Sequence, residues 1–131
     1  EFAPFHGDLS LVGNVMFNDL NDVLFVDWEQ FDNSCKIPTG LDMIMIIIEN
    51  VWYETLRSNQ IPKVVLNHVK KSIQKLIKAQ LLSPLLQEKP ALSTLNFINS
   101  NIGIWRGQHY KLPVLKVPKK YIIEIDNAIT N

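Results

Sequence analysis

The sequence has few of the features that mark secreted or membrane proteins. Its 131 residues include one cysteine, Cys35, so no internal disulfide bond can form, and a secreted disulfide scaffold gains no support. The longest apolar run, residues 43–48, is far below the roughly 20 residues that cross a bilayer. The first residues lack the basic and then apolar pattern of a signal peptide. We therefore expect a cytoplasmic protein with no membrane partner.

Net charge is also absent, but the two halves of the chain are oppositely charged. Residues 1–60 hold ten acids against two bases, whereas residues 61–131 hold three acids against eleven bases. A basic half is compatible with nucleic-acid binding. However, the lysines of residues 63–78 alternate with apolar residues, which is typical of a solvated helix face, and we do not expect a nucleic-acid partner.

The composition and the apolar pattern predict one globular domain of the α+β class. With 47% hydrophobic residues, a chain of this length can bury a substantial core. Short runs rich in valine, phenylalanine and leucine, separated by turn-forming residues, predict a β-hairpin, and denser or periodic apolar runs predict helices. The predicted elements are a hairpin of residues 14–17 and 23–28, a loop at 29–40, and helices at 41–56, 62–80, 91–99 and 119–129. A small hairpin is thus followed by a mostly helical part, residues 41–131.

Three polar residues stand around the predicted hairpin. Asp8 precedes it, Asn14 enters its first strand and Asp27 ends its second strand, so Asn14 and Asp27 converge if the turn closes the other end. A carboxylate and an amide oxygen are hard ligands that suit Mg²⁺. Asp8 could then accept a proton from an attacking hydroxyl as a general base. Aspartates at such positions are also ordinary turn and cap residues, and spacing alone leaves both interpretations open.

A two-part motif resembles a known family. His6-Gly7-Asp8-Leu9 with Asn14, followed by Val26-Asp27-Trp28-Glu29, is similar to the catalytic loop and metal-binding segment of the aminoglycoside phosphotransferase and choline kinase-like family, small-molecule relatives of the protein kinases. The similarity covers residues 5–42. It implies that residues 1–131 form the C-terminal lobe of a kinase-like fold.

The resemblance also implies roles for individual residues. Asp8 would orient or deprotonate the acceptor hydroxyl, and His6 would hold the catalytic loop in place. Asn14 and Asp27 would bind the Mg²⁺ ions that bridge the phosphates of ATP or GTP, and Glu29 would support a metal. The implied reaction transfers the γ-phosphoryl group to a small-molecule hydroxyl of the aminoglycoside, choline, ethanolamine or sugar type.

The chain departs from the family pattern in two ways. Five residues separate Asp8 from Asn14, where the family usually has four, and Gly13 offers the positive φ with which a bulge could absorb the extra residue. The glycine-rich loop and lysine of a nucleotide-binding N-terminal lobe are not found in these residues. We therefore expect this chain alone to fold but to be catalytically silent.

Two other functions remain open. One is a catalytically inactive kinase-like domain that binds a nucleotide or a partner, which the lengthened loop favours. The other is a metal-dependent phosphohydrolase with His6, Asp8 and Asp27 as ligands, which needs a further ligand such as His68 or His109.

Overall fold

The computed structural model describes residues 2–5, 14–20, 22–26, 32–100 and 117–130. Four short strands precede four α-helices in these residues, and the strands form two separate two-stranded antiparallel sheets, β1 with β4 and β2 with β3. This order confirms the α+β class. The elements are β1 (Phe2–Phe5), β2 (Val15–Phe17), β3 (Val23–Phe25), β4 (Asp32–Pro38), α1 (Leu41–Ser58), α2 (Lys63–Lys78), a 3₁₀ turn (Pro84–Leu86), α3 (Pro90–Ser100) and α4 (Lys119–Thr130).

The predicted hairpin is confirmed as β2 and β3. Met16 lies opposite Leu24, with Val15 opposite Phe25 and Phe17 opposite Val23. The register follows from the turn-forming residues between the strands, since a loop of fixed length sets which residues pair.

The prediction of a loop at residues 29–40 was wrong for most of this range, because Asp32–Pro38 is a strand, β4, while residues 39–40 form a turn and residues 29–31 lie outside the described residues. It pairs with β1 through Phe2 opposite Pro38, Ala3 opposite Ile37 and Phe5 opposite Asp32, with an irregularity between Ala3 and Phe5. The sequence DNSCKIP is rich in residues that are uncommon in strands. The partner strand, β1, lies roughly 30 residues earlier in the chain, so the sequence around β4 does not reveal the pairing. Here pairing with a distant strand outweighs a weak intrinsic strand propensity.

Helix α1 starts immediately after Gly40, a position at which any residue with a side chain would be strained. Gly40 has φ +85° in the left-handed region, and a Cβ atom at this position would collide with the backbone oxygen of Leu81 and approach Leu82 Cδ1 to 2.9 Å. The helix extends two residues beyond the predicted end at residue 56 and stops at Asn59, which also has a left-handed φ of 55°. Both ends are therefore set by positive-φ residues.

Helix α2 confirms the predicted apolar stripe. Val69 and Ile73 are buried, and Val65, Leu66, Leu76 and Ile77 pack half-buried against the core. On the other side the lysines are exposed, except for a half-buried Lys70. Pro62 directly precedes the helix with extended backbone, where its missing N–H costs nothing.

One hydrophobic core joins all four helices, β4 and the segment around the 3₁₀ turn. Its fully buried side chains from α1, α2, α3 and α4 make the helical part a single packed unit. None of the helices in the described residues combines the length and the hydropathy that a membrane span requires. The largest fully buried members of the core are Ile37, Leu41, Ile44, Ile48, Val51, Ile73, Leu86, Ile98, Ile122 and Ile125.

Candidate functional site

One of the five predicted site residues lies within the described residues. This residue is Asn14. The other four, His6, Asp8, Asp27 and Glu29, lie outside the residues that the structure describes.

Asn14 lies at the open end of the hairpin. Its backbone carbonyl accepts a hydrogen bond of 3.0 Å from the N–H of Val26, which continues the pairing of Val15 with Phe25 by one residue. The residue is 9% exposed. A nearly buried amide side chain at this end is where the sequence predicted a metal ligand, and Asp27 is the residue that follows Val26 in the chain.

The two strand pairs enclose both halves of the sequence motif. Residues 6–13 connect Phe5 to Asn14, and residues 27–31 connect Val26 to Asp32. Phe5 is paired with Asp32, and Asn14 is hydrogen-bonded to Val26. Both segments therefore connect the same two strand pairs, Phe5 with Asp32 in one sheet and Asn14 with Val26 in the other. Because only five residues separate Val26 from Asp32, their Cα atoms lie at most about 22 Å apart.

The register also defines a condition for a shared metal ion. Asn14 lies opposite Val26, so their side chains share one face of the hairpin. If the strand continued in extended conformation, the side chain after Val26 would lie on the other face. For Asp27 to share an ion with Asn14, the backbone must therefore turn after Val26.

The donor chemistry fits Mg²⁺ better than Zn²⁺. The Asn14 amide oxygen and the predicted carboxylates are hard ligands. In the described part of the chain there is no group of three or more histidine, cysteine or acidic residues that could hold a metal ion. His68 is exposed on α2. Among the described residues it belongs to no group of three or more candidate ligands, which a phosphohydrolase metal site would need.

A buried carboxylate that the sequence did not single out lies at the start of α3. Asp126, 4% exposed on α4, accepts hydrogen bonds of 2.9 Å from the backbone N–H groups of both Ala91 and Leu92. These are the donors that a local N-cap residue would normally satisfy, but Lys89, which precedes Pro90, has no side-chain oxygen. Asp126 therefore caps α3 from another helix.

Burial raises the pKa of the Asp126 carboxyl above its usual value. The two backbone hydrogen bonds and the nearby charge of Lys89 act in the opposite direction without cancelling this effect. The only signal in the sequence was the missing cap before Pro90, which does not indicate where the cap comes from. We assign Asp126 to the packing of α3 against α4.

The chain was compared with models of known protein families, with curated proteins and with solved structures, and none of the three comparisons found a match.

Proposed function

We propose that the chain carries the catalytic loop and the metal-binding segment of a phosphotransferase, which moves the γ-phosphoryl group of ATP or GTP to a hydroxyl of a small molecule. The sequence motif supports this proposal through His6, Asp8 and Asn14 in its first half and Asp27 and Glu29 in its second half. One structural observation carries it further. Each half of the motif lies in a segment that connects the Phe5–Asp32 pair of one sheet to the Asn14–Val26 pair of the other.

Each residue of the motif has a role in this proposal. Asp8 accepts the proton of the acceptor hydroxyl, or orients that hydroxyl for in-line attack. His6 holds the loop that bears Asp8. Asn14 and Asp27, with help from Glu29, hold Mg²⁺, which when bound neutralises charge on the β- and γ-phosphates. A buried Asn14 suits this role, because a ligand that is fixed by its surroundings orients a metal without a large entropy cost.

The test uses the protein expressed from its complete reading frame, with Mg-ATP and a screen of amino-alcohols, sugars and aminoglycosides. Asp8→Asn should lower kcat by roughly 10²–10⁴, the usual effect of losing a positioned base, with nucleotide affinity nearly unchanged. Asp27→Asn should weaken both nucleotide binding and turnover, because it removes a carboxylate from the metal. Asp19→Asn, an exposed aspartate of the same hairpin, is the matched control and should change neither. If Asp8→Asn and Asp27→Asn behave like this control, the proposal is wrong.

A catalytically inactive nucleotide-binding domain is the second candidate. The observation that favours it is the fifth residue between Asp8 and Asn14, since one residue can displace the chain by about 3.3 Å while Mg²⁺ ligands lie at about 2.0–2.1 Å. This candidate predicts Mg-nucleotide binding without phosphorylation of any acceptor. Deletion of Val12 restores the usual spacing, and turnover that appears only in the deletion variant would identify the loop as the cause.

A further inference from the structure

Helix α2 presents a straight strip of hydrogen-bond donors to solvent. The side chains of the strip follow one another at intervals of three or four residues, which places them one above another on a single face of the helix. From residue 63 to residue 78 the strip is about 22 Å long, at about 1.5 Å per residue. We call it the donor strip, and it consists of Lys63, Asn67, Lys70, Gln74 and Lys78, all exposed except the half-buried Lys70.

Acidic side chains do not neutralise the lysines of α2. The helix contains five lysines, because Lys71 and Lys75 flank the donor strip, and it contains no aspartate or glutamate. None of the five forms an ion pair within the described part of the chain, where Arg57 pairs with Glu54 on α1. Lys75 is four residues from Lys71 and three from Lys78, and like charges repel each other at these spacings. A bound polyanion would relieve this repulsion.

The beginning of α2 carries further positive charge. Lys63 is the first residue of the helix and the first turn holds no acid, so this cation lies at the positive end of the helix dipole. Tyr121 of α4 donates a hydrogen bond of 3.3 Å to the carbonyl of Asn59, and Lys120 Nζ lies 4.6 Å from the centroid of the Tyr121 ring. A second lysine is thereby held near the segment that leads into α2. Both cations add to the positive potential at this end of the donor strip.

The side chains of the strip suit a nucleic-acid duplex better than other polyanions. Ammonium groups and side-chain amides donate to phosphate oxygens without reading the bases. A duplex carries about one negative charge per 1.7 Å of its axis, so it offers a continuous row of charges to a strip of this length. Single strands bind largely by stacking their bases on aromatic rings, and α2 contains no phenylalanine, tyrosine or tryptophan. A membrane surface takes up exposed apolar side chains, and on α2 Val64 is the single large apolar residue that is exposed.

We propose that the donor strip of α2 binds the phosphate backbone of a double-stranded nucleic acid, whatever the base sequence. The sequence pattern by itself favours solvated lysines. The lack of acidic partners in the described structure, the cation at Lys120 and the uninterrupted row of donors favour a ligand instead. No residue of the strip belongs to the sequence motif of the proposed phosphotransferase, so the two proposals stand or fall separately.

The first experiment measures the binding of the full chain to a labelled DNA duplex of about 20 base pairs by fluorescence anisotropy at several salt concentrations. With four exposed lysines on α2, the logarithm of the dissociation constant should rise with that of the salt concentration at a slope of about 3.6, which weakens binding roughly 10²-fold between about 50 and 200 mM salt. A duplex of unrelated sequence should bind equally well. A chain that does not bind the duplex at about 100 µM in low salt, or that binds it independently of salt, would overturn the proposal.

Substitutions at both ends of the donor strip locate the binding surface. Lys63→Gln and Lys78→Gln should each weaken duplex binding roughly tenfold at about 50 mM salt and lower the slope by about 0.9. Lys63→Arg and Lys78→Arg keep the charge and should keep the parental affinity to within about twofold. The matched control is Lys36→Gln, an exposed lysine of β4, which should change neither quantity. Glutamine variants that behave like this control, or arginine variants that bind as weakly as the glutamine variants, would show that the strip is not the binding surface.

Two other polyanions test the choice of a duplex. A single strand of the same sequence should bind more weakly than the duplex at equal salt, because α2 offers no ring on which bases stack. Vesicles of phosphatidylcholine with about 30% phosphatidylserine should bind more weakly than the duplex as well. Tighter binding of the single strand refutes the proposal. Vesicle binding that depends on Lys63 and Lys78, in a chain that does not bind the duplex, would assign the strip to an anionic membrane.

Discussion

Replacement of Gly40 by alanine is the most direct test of how the strands are joined to the helices. The residue stands between β4 and α1 with φ +85°, and its carbonyl accepts the first backbone hydrogen bond of α1, from Ile44 at 3.1 Å. A methyl group there would collide with the Leu81 backbone oxygen and lie 2.9 Å from Leu82 Cδ1. The Leu81 oxygen cannot withdraw freely, because the N–H of Leu81 bonds to Leu76 O at 2.9 Å.

The expected loss of stability follows from three contributions. The left-handed conformation costs an alanine roughly 1–2 kcal/mol, and forcing extra volume into packed surroundings costs roughly 1–3 kcal/mol. Alanine gains about 0.5–1 kcal/mol by restricting the unfolded chain. Gly40→Ala should therefore lower the free energy of unfolding by about 1–4.5 kcal/mol, and the upper end of this range is a large part of the roughly 5–15 kcal/mol that is typical of a domain.

Urea denaturation followed by circular dichroism measures this loss as a lower midpoint with an unchanged m-value. The matched control is Asn59→Gly, because Asn59 also has a left-handed φ, of 55°, at the other end of α1. It should change the free energy of unfolding by less than about 1 kcal/mol. If Gly40→Ala unfolds within about 0.5 kcal/mol of the parent chain, the close approach of residues 40 and 81 is refuted.

Two further predictions concern buried polar groups. Asp126→Asn should cost about 1–2 kcal/mol at neutral pH, because an amide cannot accept hydrogen bonds from both Ala91 and Leu92. Burial raises the folded-state pKa of Asp126, so the folded state binds the proton more tightly than the unfolded state does. The stability advantage of the parent over Asp126→Asn should therefore shrink as the pH rises from about 4 through that raised pKa. Denaturation curves in which this advantage grows over the same pH range would contradict the burial effect. Thr94→Val should stabilise the chain by about 1 kcal/mol in the same assay, because Thr94 Oγ1 is buried without a hydrogen-bond partner in the described structure. Thr94→Ser keeps the hydroxyl and is the control, and equal effects of valine and serine would contradict this account.

The parts of the fold that could be predicted are those with local signals. The helix α2 shows its apolar stripe in the sequence, and the turn-forming residues around Asn18 mark the hairpin. The strand β4 could not be predicted, because its stability comes from pairing with β1, and neither its asparagine and serine residues nor its neighbours indicate that partner. Long-range pairing is invisible to any argument from periodicity or propensity.

The same distinction applies to the candidate site. The hairpin pattern correctly placed Asn14 at the open end of β2 and β3, because closure of a two-stranded sheet is a local property. The role of Asp126 was not predictable, since its two hydrogen-bond partners lie 34 and 35 residues earlier. The assignments of Asp8 and Asp27 rest on the sequence motif and stay predictions.

The cap that Asp126 provides has a consequence for the order in which the chain folds. During synthesis, α3 emerges before the residue that satisfies its first N–H groups, and Lys89 offers no substitute. A helix of 11 residues is only marginally stable in water by itself. Helix α3 can pack against α1 and the 3₁₀ turn earlier, but its first N–H groups are satisfied only when α4 has left the ribosome and docked. Removal of α4 should expose the backbone amides of α3, and also those of α2, which packs against α4, to hydrogen exchange, while α1 keeps more of its protection.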